Sequence, residues 1–338
     1  MLNTNNLPNS SDLSSITRLV SSDQVFSLLE PTLFEPLRDA IGRPSKKIRA
    51  QILELGYRLS DSLEQKKQDP LLLSKAANLL EHLHAASLII DDIQDESLER
   101  RGAPSLHRIY GTAIALNAGN WLYFWCLSKL AELGIELDCE QKIFKMCLDM
   151  YLRAHAGQAL DVGSDFRSIQ RENVASVCLA TAELKTGALM SFGFCLGAEI
   201  GNVSQERFLA LEQFGLRFGV ALQMFDDIGP GIESGFTKKH REDFLQFRPT
   251  WLWATVANEY SESEFEEFRG LALGPEDLMV DWAKSKSLTK VARLGAKAYM
   301  DKAFDEFMNS FKGNERTNAA FSDLRILGET LARAYEKL

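Results

Sequence analysis

From Gln24 onward apolar residues recur at every third or fourth position, as in Leu71, Leu72, Ala76, Leu79, Leu80 and Leu83, or in Phe208, Leu211, Phe214, Phe218 and Leu222. This is the repeat of a helix with one face turned to a core. Pro31, Pro44, Pro70, Pro104, Pro230 and Pro249 fall between the periodic segments, where they are expected to punctuate helices. No stretch alternates apolar and polar residues well enough to build a sheet. The first 23 residues, MLNTNNLPNSSDLSSITRLVSSD, are rich in Ser, Asn and Thr and predict a loose tail or one short capping helix. Residues 24–338 then read as a single all-α domain, a bundle of roughly ten or more helices with short connections and no linker to divide it. Within it, SESEFEEF from Ser261 to Phe268 is expected to be a solvated helix face.

The chain has 338 residues and is 45% apolar, enough to bury a substantial core. A formal net charge of -9 argues against nucleic acid or an anionic membrane surface as partner, because both attract basic faces. Any anionic ligand must therefore be held by local bases. No segment pairs a basic head with an apolar stretch, and no run approaches the ~20 apolar residues that cross a bilayer, so a cytoplasmic protein without stable membrane insertion is expected. Cys126, Cys139, Cys147, Cys178 and Cys195 sit in apolar helical patterns without C-x-x-C spacing and read as reduced core residues.

Chemistry enters at LIIDDIQDESLERRGAPSLH, residues 88 to 107. On a helix Asp91 and Asp95 lie at i and i+4 and share a face, while Asp92 is turned away by about a hundred degrees. Carboxylates this close repel one another, and a hard cation would relieve the repulsion. Mg²⁺ takes one or two carboxylates together with waters and phosphate oxygens. Alone, the pentapeptide reads more readily as an exposed acidic turn. The balance shifts because a second apolar helix, FGVALQMFDDIGPG, also ends in an acidic pair, Asp226 and Asp227. Two such ends could hold Mg²⁺ around one diphosphate. Arg100 and Arg101 can meet phosphate oxygens directly through the guanidinium fork. They read equally as helix C-terminal charge ahead of Gly102 and Pro104.

These residues carry a family resemblance. DDIQDESLERRGAPSLHRIYG and ALQMFDDIG resemble the two aspartate-rich motifs of the trans-prenyl diphosphate synthases, the farnesyl and geranylgeranyl diphosphate synthases among them. PSKKIRA, EHLHAASLII, NAGNWL, GQALDV, KTG and KHREDFLQFRPTW follow in the family's order between 44 and 251. The resemblance implies the isoprenoid synthase fold, an all-α bundle around a central cavity. It implies Asp91, Asp95 and Asp226 as Mg²⁺ ligands, three ions per active site, with Asp92, Asp227 and Asp243 in support. Arg100, Lys185 and Lys239 would contact the allylic diphosphate. Lys46, Arg49, His84 and Arg101 would bind isopentenyl diphosphate. Gln158, Asp161, Thr186 and Gln223 match polar positions near the reacting carbons, and Arg248 stands where a lysine is frequent. Taken singly, Lys46, Lys47 and Arg49 could be surface bases, His84 a core imidazole and Gln223 a helix-face amide.

The implied enzyme is a Mg²⁺-dependent prenyltransferase that ionises an allylic diphosphate and adds isopentenyl diphosphate head to tail. Ser87 and Ala86 occupy the family's usual pocket floor and leave it open, which favours a geranylgeranyl over a farnesyl product. Trp121, Tyr123, Phe124 and Trp125 add bulk on the next helix, which either closes the pocket lower down or packs against neighbouring helices or a dimer partner. Departures stand at Pro230, in place of a final aspartate for which Glu233 is a possible substitute, at Pro44 and Ser45, at Ile90 and at Arg248. Two alternatives remain: a class I terpene cyclase on the same scaffold, which would not need the set Lys46, Arg49, His84 and Arg101, and a non-catalytic subunit of a hetero-oligomeric synthase, which would not need both acidic pairs. By the same resemblance the protein is expected to be a homodimer.

Overall fold

The computed structural model describes residues 23–60, 70–232, 246–311 and 315–335. The tail before Asp23 lies outside the described residues. Among those described, helices dominate, as the period of the sequence requires. Residues 23–51 and 70–144 form one compact unit, and residues 52–60 with 145 onward form a second.

In the first unit α1 (Asp23–Leu29) runs through a π turn (Glu30–Phe34) into α2 (Glu35–Gly42). Pro31 therefore sits inside a continuous helical run, not between helices as expected. It stands at the start of the π turn, where the bonding pattern of the helix changes and a residue without an N–H is accommodated. After α3 (Ile48–Arg58), the long helix α4 (Pro70–Gln94) packs against α6 (Thr112–Leu130). The approach is close because Gly119 of α6 faces α4: a Cβ there would lie 2.9 Å from Ile90 Cδ1. Between the two helices the chain makes an antiparallel hairpin, β1 (Glu99–Arg100) and β2 (Ala103–Pro104), and the short α5 (Leu106–Tyr110). The hairpin was not legible as a strand pattern, because each strand is two residues long and cannot show alternation.

The second unit takes up α7 (Leu137–Gly163) from Lys145 onward, then α8 (Arg171–Ala182), a π turn (Glu183–Gly187), α9 (Ala188–Ile200) and α10 (Gln205–Ile228). Residues Ala188–Glu199 of α9 are all buried, so this helix is apolar on every side and forms the centre of the unit. α10 crosses close to the π turn: a Cβ on Gly219 would lie 2.6 Å from Gly187 Cα. Among the described residues α11 (Trp251–Glu259), α12 (Glu262–Leu271), α13 (Glu276–Lys286) and α14 (Leu288–Ser310) follow. α15 (Glu315–Tyr335) comes last. Phe194, Phe214, Phe218, Phe304 and Phe307 interlock between α9, α10 and α14, with Phe214 and Phe307 stacked at 4.5 Å. α12 is the expected acidic face. It is capped by Ser261 and Glu264, buries Phe265 and Phe268, and leaves Glu262, Glu266 and Glu267 exposed. The cysteines are free thiols, buried except for the partly exposed Cys139.

Candidate active site

The first acidic motif closes α4, whose apolar residues Ala85, Ala86 and Ile89 are buried. Burial of this face fixes where the three aspartates emerge. The side chains of Asp91 and Asp92 are 19% and 5% exposed, and Asp95 is partly exposed. Arg100 of β1 folds back on them: its Nε donates to Asp92 Oδ1 at 2.7 Å, its Nη2 makes a second contact with the same oxygen, and it lies 3.6 Å from Asp91 Oδ2. Burial pushes the Asp92 carboxyl upward from its ordinary value, and the Arg100 guanidinium pulls against that shift without cancelling it. Asp92 is thus the buried anchor of Arg100, while Asp91 is more open.

Arg101 and Gly102 form the two-residue turn of the hairpin, and both have positive φ, 56° and 78°. That is the signature of an I′-type turn, for which glycine suits the second position. An arginine at the first position carries left-handed strain that its side chain must justify elsewhere. Its guanidinium feels Glu81, a buried carboxylate that accepts a long hydrogen bond from Ser45 Oγ at 3.4 Å and whose Oε1 has no hydrogen-bond partner. His84 is held well below the ordinary imidazole value, first by burial and then by Arg49, Arg101 and Arg100. It is neutral at physiological pH. Lys46, exposed, and Arg49, partly buried, stand just before and within the first turn of α3. A cavity of about 20 Å³ opens among Arg43, Asp92, Arg100 and Arg101, room for about one water. Ala86, expected at the pocket floor, is fully buried, and Ser87 donates to the His84 carbonyl at 2.8 Å. Trp121 stacks on Trp125, which packs against His82, whereas Phe124 is 71% exposed. The two tryptophans are thus packed among neighbouring helices, and Phe124 is not.

In the second unit the π turn carries Lys185 and Thr186, and such turns re-aim side chains at functional sites. Lys185 Nζ donates to Asp161 Oδ2 at 2.5 Å. Thr186 Oγ1 donates to Gln223 Oε1 at 2.6 Å, Gln223 Nε2 to Asp227 Oδ1 at 2.7 Å, and the Trp251 backbone N–H to Asp227 Oδ2 at 2.7 Å. One carboxylate therefore ties the π turn, α10 and the start of α11, where helix N–H groups favour negative charge. Asp226 and Gln158 are partly exposed on α10 and α7. Arg248 is buried and donates to the Asp161 carbonyl at 2.9 Å, so it braces the turn of α7 that holds Lys185's partner. α10 ends at Ile228 with Gly229 in a positive-φ conformation, which places Pro230 beyond the helix as expected. Lys239, Asp243 and Glu233 lie outside the described residues.

Among the described residues no three acidic, imidazole or thiol groups converge as a preformed metal cluster. The donor chemistry at Asp91, Asp95 and Asp226 still fits Mg²⁺: hard oxygens, few per ion, with room for waters and phosphate oxygens to complete the shell. Sequence reasoning missed Glu81, Arg43 and Asp39. Glu81 is visible within EHLHA, but its setting depends on Ser45 and Arg101, which are distant along the chain. Among the described residues no helix is long and apolar enough to cross a membrane.

The family model for polyprenyl synthetase matches residues 30–273, reaching beyond the 44–251 stretch of resemblance at both ends. A geranylgeranyl pyrophosphate synthase of Clitopilus passeckerianus is 34% identical over 151 residues, 44% of this chain and 42% of that protein, so the match spans less than half of the relative's length. A short chain isoprenyl diphosphate synthase of Methanothermobacter thermautotrophicus is 27% identical over 263 residues, 77% of this chain and 78% of that protein. The crystal structure of a geranylgeranyl pyrophosphate synthase from Corynebacterium glutamicum, complexed with isoprenyl diphosphate and magnesium, matches with a TM-score of 0.78 at 18% identity. The match covers 95% of this chain and 94% of that one. At that identity the likeness establishes the shared all-α isoprenoid synthase fold. With the family model matched over most of its length, this chain belongs to the polyprenyl synthetase family.

Proposed function

We propose that the protein is a Mg²⁺-dependent prenyltransferase that condenses isopentenyl diphosphate head to tail with an allylic diphosphate, giving a short-chain product of the geranylgeranyl type from one synthase domain over 24–338. The observation that carries this reading is the double-arginine hairpin against the acidic helix end: Arg100 donates to Asp92 and lies 3.6 Å from Asp91, and Arg101 lines the same small cavity, beside a helix that ends in Asp91, Asp92 and Asp95. Adjacent guanidiniums beside carboxylates suit a metal-bound diphosphate and a second anion next to it. A cyclase has no use for this second anion site, and a non-catalytic subunit has no use for both acidic pairs.

Asp91, Asp95 and Asp226 would hold Mg²⁺, three ions by family resemblance, and bound Mg²⁺ supplies the charge neutralisation that lets diphosphate depart. Arg100 and Lys185, parked on Asp92 and Asp161, turn toward the allylic diphosphate from carboxylates that keep both cations in place before substrate arrives. Neutral His84 keeps one N–H to donate to the diphosphate of isopentenyl diphosphate, alongside Lys46, Arg49 and Arg101. The hydrogen-bonded chain Thr186, Gln223, Asp227 fixes polar groups near the reacting carbons. The isopentenyl double bond forms the new carbon–carbon bond at the allylic carbon as its bond to diphosphate oxygen breaks. The proton then lost goes to the departing diphosphate, so no protein base is required. Exposed Phe144, Leu148 and Leu152 form one stripe along α7, which supports a second copy of the chain as partner; a monomer by sedimentation would remove that part.

Release of inorganic pyrophosphate tests the reaction. It is expected only when Mg²⁺, an allylic diphosphate and isopentenyl diphosphate are all present. Release from the allylic substrate alone would favour the cyclase, and no release in any mixture would contradict catalysis.

A further inference from the structure

We propose that Arg43, held by Asp39, is a positioning residue that clamps the double-arginine hairpin; its effect on catalysis rests on the function proposed above. Arg43 follows α2, and its side chain is 7% exposed. Its Nε and Nη2 donate to the two oxygens of Asp39 at 2.9 and 3.2 Å, one helical turn back. Its Nη1 donates to the Arg100 carbonyl at 3.1 Å, and Nη2 donates again to the Pro104 carbonyl at 2.9 Å. The two carbonyls belong to opposite strands of the hairpin, either side of the Arg101–Gly102 turn. Four of the five N–H groups of a guanidinium are thereby used on this chain's own oxygens, which leaves a single N–H for any other acceptor.

The hairpin needs such a clamp. Its ladder has only two residue pairs, Glu99 with Pro104 and Arg100 with Ala103, and so short a ribbon is not stable by itself. Its turn also holds Arg101 at positive φ, which the stem must enforce. Arg100 and Arg101 present their guanidiniums from this ribbon, so any loosening of the stem is felt at both. A lysine cannot replace Arg43, because one ammonium cannot take both carboxylate oxygens and span two carbonyls at once.

Full-length protein carrying Arg43→Met, Arg43→Lys or Asp39→Asn would be compared with wild type by amide hydrogen exchange and by steady-state kinetics. All three variants are expected to speed exchange at residues 99–105 by about tenfold or more while α9 exchanges as in wild type. KM should rise about tenfold for isopentenyl diphosphate and also for the allylic diphosphate, with kcat changed much less, because binding geometry and not the chemical step is disturbed. Unchanged exchange in the hairpin, or full rescue by Arg43→Lys, would overturn the clamp. If wild type catalyses no condensation, the functional reading fails separately, and exchange alone decides the clamp. Should Arg43→Met not fold, Arg43→Lys and Asp39→Asn give the same decision.

Discussion

On the proposed function, Arg101 is a residue that trades stability for chemistry. An L-residue in the left-handed region costs roughly 1–2 kcal/mol, and asparagine bears that conformation far better. Arg101→Asn is therefore expected to leave the thermal midpoint equal to or above that of wild type while KM for isopentenyl diphosphate rises at least about tenfold, the cost of losing one charged hydrogen bond. A variant that loses stability and binding together would mean that the side chain serves the fold. The aspartates and arginines of this region became legible only together with the second acidic pair, Asp226 and Asp227, and the order of motifs along the chain, because DDIQDE alone reads as an exposed acidic turn. Arg43 and Asp39 were not, because what gives them meaning is the carbonyls of Arg100 and Pro104, 57 and 61 residues from Arg43.

Among the elements, the π turn at Glu183–Gly187 is the one on which the roles proposed for Lys185 and Thr186 depend. Gly157 of α7 lies against it, and a Cβ at that position would sit 2.7 Å from the Lys185 backbone nitrogen and 2.9 Å from Leu184 Cβ. Neither neighbour can yield without moving the turn. Gly157→Ala is expected to lower stability by about 1–3 kcal/mol and to cut kcat/KM further than the stability loss explains, as read by thermal unfolding beside kinetics at a temperature where the variant is folded. Full activity with unchanged stability would show that the turn has room to spare. The glycine of GQALDV thus has a physical reason that its sequence context does not reveal. Helical period gave α4 and α10 readily. It was blind to the π turns, each a single turn too short to show in the apolar repeat, and to the hairpin, whose strands are too short to alternate. It also misjudged Pro31, because proline at a π turn within a helical run looks the same in sequence as proline between helices.

For the whole molecule, stability should carry the mark of buried imidazoles. His82 packs against Trp125 with ring centroids 5.4 Å apart, its Nδ1 has no hydrogen-bond partner, and burial pushes its pKa from 6.5 down to about 4. Because the folded value is depressed, the full contribution is present above the unfolded value of 6.5 and is lost as pH falls toward the folded value. At about 1.4 kcal/mol per pKa unit, acidification from pH 7 to pH 5 should cost on the order of 2 kcal/mol through His82. His84 acts in the same direction, and Asp92, whose carboxyl is raised, acts in the opposite one. Urea unfolding of wild type and His82→Phe at the two pH values isolates the His82 part. The variant should lose less, and an equal loss in both proteins would assign the acid sensitivity elsewhere. Net charge argued only against nucleic acid and anionic membrane surfaces as partners. The diphosphates proposed as substrates came from the resemblance that the acidic and basic positions carry in order along the chain.

The most direct measurement is mass spectrometry of the products formed from isopentenyl diphosphate and dimethylallyl, geranyl or farnesyl diphosphate with Mg²⁺, by wild type and by Asp91→Ala. Wild type should give prenyl diphosphates lengthened by five-carbon units, reaching twenty carbons, and Asp91→Ala should give at least about a hundredfold less, a loss typical of removing an essential electrostatic group. Hydrocarbons or alcohols from a single prenyl diphosphate, or equal product from wild type and Asp91→Ala, would contradict the assignment of this site to chain elongation.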